Sequence, residues 1–525
     1  MHYLKKSLGL LAVVALLATA CGDFLEEESI GTLSSAGFPA SADEALAAVN
    51  GVYSSLSPTY RGRNYIMLSE LPTEALTTRR NNEDNIAQLD NYTWTETYNT
   101  TVGMYEDHYA VIKDANFLLD NINQWEASEA EQELKDRIVG EASFLRALAY
   151  FQLYIFFGEV PLRDRFPTAD DDFEIPAAET ADIFSLIVGD LDRAVEGLPN
   201  WQDYTSDNDL GRASRGAALA LLAKAYLTKA QTEAAEPSDF TNAQAATQRV
   251  IDEEGYELVD LQQLYGLSEK ITQKTANFAE NIFVFQRDAS LTGGQASQHS
   301  NWAPRRSEPD FGTVWSNFNA ELPFFQSYEE ADARRETFFI LEYESREVGG
   351  PVTFNADSLV DDGYWNDGPA VSKYVDPTAG NNGQDNANTV FLRYADVLLM
   401  QAEALNEINQ GPTPEAYDAI NQVRARSRRT PEALPDLAGL SYQAFKEALY
   451  DERRKEFVAE GLGLSDRFRF WDIARQRIEA NSRQVYETAN NCAVPDVEIN
   501  VTDFYRFFPI PPNISDVNPA LGGGE

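Results

Sequence analysis

Apolar residues recur at helical spacing through most of the chain. In "RASRGAALALLAKAYLTKA", Ala218, Leu221, Leu222, Ala225 and Tyr226 fall at i, i+3, i+4, i+7 and i+8, one face of a helix. A shorter amphipathic segment, "FTNAQAATQRVIDEEGY", follows after a turn. The same form returns in "RYADVLLMQAEALNEINQ" followed by "TPEAYDAINQVRARS". The two pairs align, Ala223–Tyr226 with Ala402–Leu405 and Ala243–Val250 with Ala416–Val423. Glu141–Gly158 with Ala181–Leu198 makes a third pair. Small residues where two helices cross, ringed by larger apolar ones, are the tetratricopeptide pattern. Such a pair cannot bury its apolar face alone and must stack on its neighbours. Upstream, "SADEALAAVNGVYSSL" places Ser41 and Glu44 at capping-box spacing. "MYEDHYAVIKDANFLLDNI" predicts a further helix, and "TADIFSLIVGDLDRAVEGLP" predicts one closed by Gly197 and Pro199.

The pattern changes between about Tyr256 and Asn388. "NIFVFQRD" reads as a short strand, while "SNWAPRRSEPDFGTVWSNF", "DDGYWNDGP" and "PTAGNNGQDN" are loop chemistry. The predicted fold is mainly all-α, a superhelix of tetratricopeptide-like helix pairs with long loop-rich insertions and a few short strands. Loops carried on a rigid helical scaffold are where binding residues concentrate.

The first twenty residues are different again. Lys5 and Lys6 precede an apolar run from Leu8 to Ala20, the length of a signal peptide and too short to span a bilayer. Ala18, Thr19 and Ala20 then lead into Cys21, which looks like a bacterial lipobox. This predicts a signal peptide over 1–20, cleavage before Cys21, a lipid on its sulfur, a tether over 21–40 and one domain over 41–525. The other cysteine, Cys492, is then a free thiol, and a Cys21–Cys492 disulfide is rejected.

Composition narrows the partners. The 525 residues include 84 acidic and 42 basic side chains, a formal net charge of −42. Nucleic acid is excluded, because phosphate binding needs a basic footprint. Three histidines, one inside the signal peptide, leave little for a Ser–His–Asp triad or a histidine metal site. His108 reads as a packing residue in a helix. Asp/Asn runs such as "NNGQDN" lack EF-hand spacing, so no metal and no cofactor are predicted.

Several segments come in a telling order: "FLRYADVLLMQAEALNE", "AINQVRARS", "LYDERRKEFVAEG", "RFWDIARQ" and "FFPIPPNISDVNP". Earlier ones agree, among them "AVNGVYSSL", "VIKDANFLLDNI" and "EASFLRALAYFQLYIFFGEVPL". This succession resembles the SusD/RagB family of Bacteroidota outer-membrane lipoproteins. The resemblance implies a surface-exposed, lipid-anchored protein that captures oligosaccharides or peptides without catalysis. It also implies a partner, a SusC-like TonB-dependent transporter barrel that the protein covers as a lid. The acidic residues after Cys21 resemble a surface-export signal, which places the protein on the outer face of the outer membrane.

Two features bear on chemistry. "DERRKEFVAEG" sets Glu452, Glu456 and Glu460 along one helix face, a spacing that a surface glycoside hydrolase with a helical toroid would use. The family resemblance makes it a structural network instead, with arginine forks bridging packed helices. A third alternative, a tetratricopeptide adaptor for peptides, would expect a regular array and no lipobox. For ligand binding, sugars need aromatic faces and planar polar groups. Trp94, Tyr98, Trp302, Trp315, Tyr364 and Trp365 all lie in polar, loop-like stretches, and Arg79 and Asn81 could supply hydrogen bonds.

Overall fold

Alanine-rich, capped segments fold as helices where the spacing predicts them. The computed structural model of the chain describes residues 38–61, 63–78, 84–168, 171–206, 209, 211–265, 279–286, 301–304, 314, 316–345, 349–354, 368–376, 385, 387–481 and 499–521. Ten helices of eleven residues or more occur among them. They are α1 (Ala42–Arg61), α2 (Val102–Asn121), α3 (Gln132–Phe157), α4 (Thr180–Gly197) and α5 (Arg215–Lys229). The others are α6 (Asp239–Glu253), α7 (Tyr394–Asn409), α8 (Pro414–Arg426), α9 (Tyr442–Phe457) and α10 (Trp471–Asn481). Ser214, Thr413 and Ser441 cap α5, α8 and α9, each accepting a backbone N–H three residues on.

Each helix from α1 to α8 packs on the next, without a break. The repeats read in the sequence are the pairs α3–α4, α5–α6 and α7–α8, stacked as a superhelix. The α3–α4 crossing is close because both sides carry glycine there. A Cβ on Gly197 would stand 2.5 Å from the Asp136 carbonyl oxygen, inside any real contact. α5 departs from the one-face expectation. It is buried on nearly every side, from Gly216 to Ala225 and again at Leu227 and Thr228, because α4 and α6 flank it and the C-terminal helices close over it.

Among the described residues eight short strands accompany the helices: β1 (Leu76–Thr78), β2 (Asn281–Phe285), β3 (Phe318–Ala320), β4 (Phe339–Ile340), β5 (Glu342–Ser345), β6 (Gly350–Thr353), β7 (Ala370–Val371) and β8 (Thr389–Arg393). β1, β3, β7 and β4, in that order, form an antiparallel sheet; β2 pairs with β8, and β5 with β6. The described parts of 256–388 are therefore not loop alone. Three of their strands, β3, β4 and β7, share a sheet with β1, contributed from far upstream, and the strands there are two to five residues long. Runs that short show no readable alternation between Gly, Pro and Asn.

Candidate functional site

The four-stranded sheet fixes where the loop-rich segments start and finish. Thr78 of β1 stands opposite Phe318 of β3, and Leu76 opposite Ala320. At this Thr78 end β1 finishes and β3 begins. That end is lined by polar groups locked to one another. Asp90, the last residue of the helix Asp84–Asp90, accepts from the Thr77 hydroxyl at 2.8 Å and the Thr78 N–H at 3.2 Å. The Asn317 side-chain amide donates to Asn301 Oδ1 at 2.6 Å, and its backbone N–H donates to Asn301 O at 2.8 Å. The Thr78 hydroxyl donates to Asn317 O at 3.3 Å. Hydroxyl, amide and carboxylate groups held this way make a preorganised polar edge. Sequence reading missed Thr77, Thr78, Asp90, Asn301 and Asn317, since nothing local marks residues that only β pairing brings together.

Of the aromatic candidates, Trp302 stands beside this end, with its ring 5.1 Å from that of Phe318 and 5.9 Å from that of Tyr374. It is only 1 % exposed. Trp94, equally buried, belongs to another cluster. Its ring packs against Tyr505 at 4.7 Å and Phe508 at 5.1 Å, where the C-terminal segment folds beneath it. Tyr98 joins that cluster and donates its hydroxyl to Asn85 O at 2.9 Å; burial pushes its pKa up to about 12. These three rings therefore act as anchors for their segments and offer no free face for stacking, which corrects the expectation of exposure. Arg79, Asn81, Trp315, Tyr364, Trp365 and Cys21 lie outside the described residues. β7 begins at the opposite end of the sheet, where the Ala320 N–H donates to Pro369 O at 3.0 Å.

The "DERRKEFVAEG" carboxylates form a buried ionic knot. Arg334 Nη1 donates to Glu452 Oε1 at 2.7 Å and to Glu456 Oε2 at 3.1 Å. Arg393 reaches Glu280 at 2.9 Å, Glu456 at 2.7 Å and Glu460 at 2.8 Å. Arg426 closes on Glu456 and on Glu280. Lys373 donates to Glu460 at 2.6 Å and to Glu456 O at 2.9 Å, and burial pushes its pKa down to about 8. Burial opposes the charge on Glu456, but Arg426, Arg393, Arg334 and Lys373 outweigh it and hold the carboxyl well below the usual range. A second knot centres on Arg453, which bonds Asp396 and Asp466 at 2.8 Å each. Arg454 ties α9 to Glu70 at 2.9 Å and to Glu74 at 3.3 Å. A glycosidase acid needs a raised pKa and a cleft; Glu456 and Glu460 are shifted the other way and are sealed in.

Two family models match this chain. One, described as the SusD family, covers residues 325–522; the other, described as starch-binding associating with outer membrane, covers residues 23–227. The chain belongs to the SusD/RagB family. Residues 228–324 fall between the matched stretches, and they hold both Trp302 and Trp315. A SusD-like protein, P2, of Formosa agariphila is 27 % identical over 496 residues, 89 % of this chain and 90 % of its own length. The SusD homolog of Bacteroides thetaiotaomicron superposes with a TM-score of 0.77 at 24 % identity, covering 93 % of this chain and 97 % of that one. A laminarin-binding SusD-like protein gives a TM-score of 0.66 at 24 % identity, with 85 % and 94 % covered. The mainly helical architecture is thus the SusD architecture, and the helix run α1 to α8 is this SusD/RagB protein's framework.

Proposed function

We propose that this SusD/RagB protein captures glycans at the outer face of the outer membrane and delivers them to a TonB-dependent transporter barrel, over which it sits as a lid. The observation that carries the reading is the match over residues 23–227 to a family described as starch-binding and associated with the outer membrane. The laminarin-binding relative of the same architecture supports a saccharide as ligand. The polar sheet end, with the segments that leave and enter it, is the capture site. Cys21 carries the lipid, and this anchor holds the protein to the membrane. No helix among the described residues is long and apolar enough to cross one. The protein binds and does not cleave, because the carboxylates that resemble a glycosidase pair are spent on arginines.

Calorimetric titration against a panel of neutral glucans and peptides, with chromatography of each mixture after incubation, tests capture. Saturable binding of an intact oligosaccharide is expected. Release of shortened products would sink the reading in favour of a hydrolase, and binding of peptides alone would replace the ligand class. Extraction of the native full chain in mild detergent should bring a large β-barrel with it, and recovery of the chain alone would remove the lid role.

A further inference from the structure

A groove of about 310 Å³ lies away from the sheet, between α2, the segment after α3 and the C-terminal residues. α2 supplies one wall from a single face, Tyr105, Tyr109, Ile112 and Asn116. The Tyr105 and Tyr109 rings lie 4.7 Å apart, and the Tyr109 hydroxyl donates to Pro161 O at 2.6 Å. Phe173 and Val517 stand at the rim, 59 % and 73 % exposed, the two most exposed large apolar side chains among the described residues. Solitary exposed apolar residues need no explanation, but two of them edging one concavity mark a binding surface.

The charge of this groove runs against that of the molecule. Lys113, Arg163 and Arg165 line it and, among the described residues, no carboxylate does, in a chain with twice as many acidic as basic residues. Arg165 is neutralised by Asp171, and Lys113 lies 3.4 Å from Asp114. Arg163 has no carboxylate partner among the described residues. It donates to Phe173 O at 3.1 Å and rests 5.7 Å over the Phe173 ring.

The backbone beneath that guanidinium is pinned. The Tyr150 hydroxyl accepts from the Arg163 N–H at 2.6 Å and donates to Arg163 O at 3.0 Å. Both Asn116 amide hydrogens are also used there, on Arg163 O at 2.9 Å and Arg165 O at 3.0 Å. Asn116 is held in turn by Arg146 Nη1 at 2.6 Å. Such anchoring lowers the ordering cost of an incoming ligand. Asn518, also in the wall, donates to Ile175 O at 2.8 Å, while its buried Oδ1 has no partner.

Flat rings, a guanidinium with no carboxylate partner among the described residues and an orphan acceptor together match a ligand with an apolar face, an anionic group and a hydroxyl. The geometry points to a second saccharide site, one that takes a carboxylate-bearing pyranose, the acidic unit of a glycan. The sugar's C–H face lies on Phe173 and Tyr109, and its carboxylate takes the two-pronged contact of Arg163. This site rests on the glycan-capture reading above and extends it to charged glycans.

The test uses the full chain, an oligogalacturonate and its carboxyl-reduced neutral counterpart, titrated at low salt. The oligogalacturonate should bind more tightly than the reduced form. Arg163→Gln should weaken it by about tenfold or more, the scale of one charge-assisted contact, and abolish that preference. Phe173→Ala, an exposed change that leaves the core alone, should weaken both. Neutral glucans taken at the sheet end should bind both variants as they bind the parent. Oligogalacturonate affinity unchanged in both variants would overturn the groove site and leave glycan capture standing. No binding of neutral glucans, with oligogalacturonate binding still lost in Arg163→Gln, would sink the sheet-end reading and keep the groove. Binding of a medium-chain fatty acid in place of oligogalacturonate would overturn the saccharide assignment.

Discussion

His108 shows how a single buried side chain sets a pH limit. Its ring nitrogens contact the Tyr60 hydroxyl at 3.3 Å and the Met104 carbonyl oxygen, and the side chain is sealed in the core. Desolvation drives its pKa from 6.5 down to about 4. The unfolded chain takes up this proton near 6.5 and the folded chain only near 4, so acidification through that window favours unfolding. The loss attributable to His108 is roughly 3 kcal/mol. Urea unfolding followed from pH 6.5 to 4.5 should show a shallower loss in His108→Gln than in the parent; parallel curves would remove His108 as the cause. The packing role of His108 was legible in the sequence from its helical setting. The burial of Trp94 was not. "NYTWTETYNT" is polar on every side, and hydropathy reads only near neighbours. The rings that cover Trp94, Tyr505 and Phe508, arrive from some 400 positions later.

At the level of elements, Glu456 joins pieces with no local reason to meet. It sits on α9 and bonds Arg426 of α8, Arg393 at the end of β8 and Arg334 from the short helix Arg334–Thr337. Glu456→Gln keeps the shape and leaves three buried guanidinium groups short of an anion. Breaking one partner of a buried pair costs about 3–5 kcal/mol. The urea midpoint should fall accordingly, and hydrogen exchange at Phe338–Ile340 should quicken; a midpoint equal to the parent's would show the knot to be energetically idle. The helix pairs were readable because alanine spacing, caps and long apolar runs are local and repeated. The arginine network was readable as a network from the dense "DERRKEF" run. Its partners Glu280 and Lys373 were not, since each is an isolated charge among uncharged neighbours. Among the strands, "NIFVF" was readable and is β2, whereas two-residue pieces such as β4 and β7 exist only through their neighbours.

For the molecule as a whole, the charges divide into two populations that salt treats differently. The knots are dry and little affected by ions, whereas the remaining acidic excess of a chain carrying −42 repels itself across the surface. The melting temperature should climb as sodium chloride is raised from about 10 mM to about 500 mM, a range over which the screening length shrinks several-fold. A flat or falling curve would mean that surface repulsion does not limit stability.

The reach of the buried ion pairs has a consequence for biogenesis. Arg334 finds its carboxylates 118 and 122 positions later, and Arg454 finds Glu70 384 positions earlier. Pairs so distant in sequence close late, after shorter loops have formed. The upstream helix pairs can therefore assemble first, while the interior between them and the sheet stays hydrated until α9 docks. A chain interrupted ahead of Glu452 would leave Arg334, Arg393 and Arg426 to share Asp332 and Glu280, too few carboxylates to dry that interior. Charge neutrality thus ties the drying of the interior to the arrival of α9.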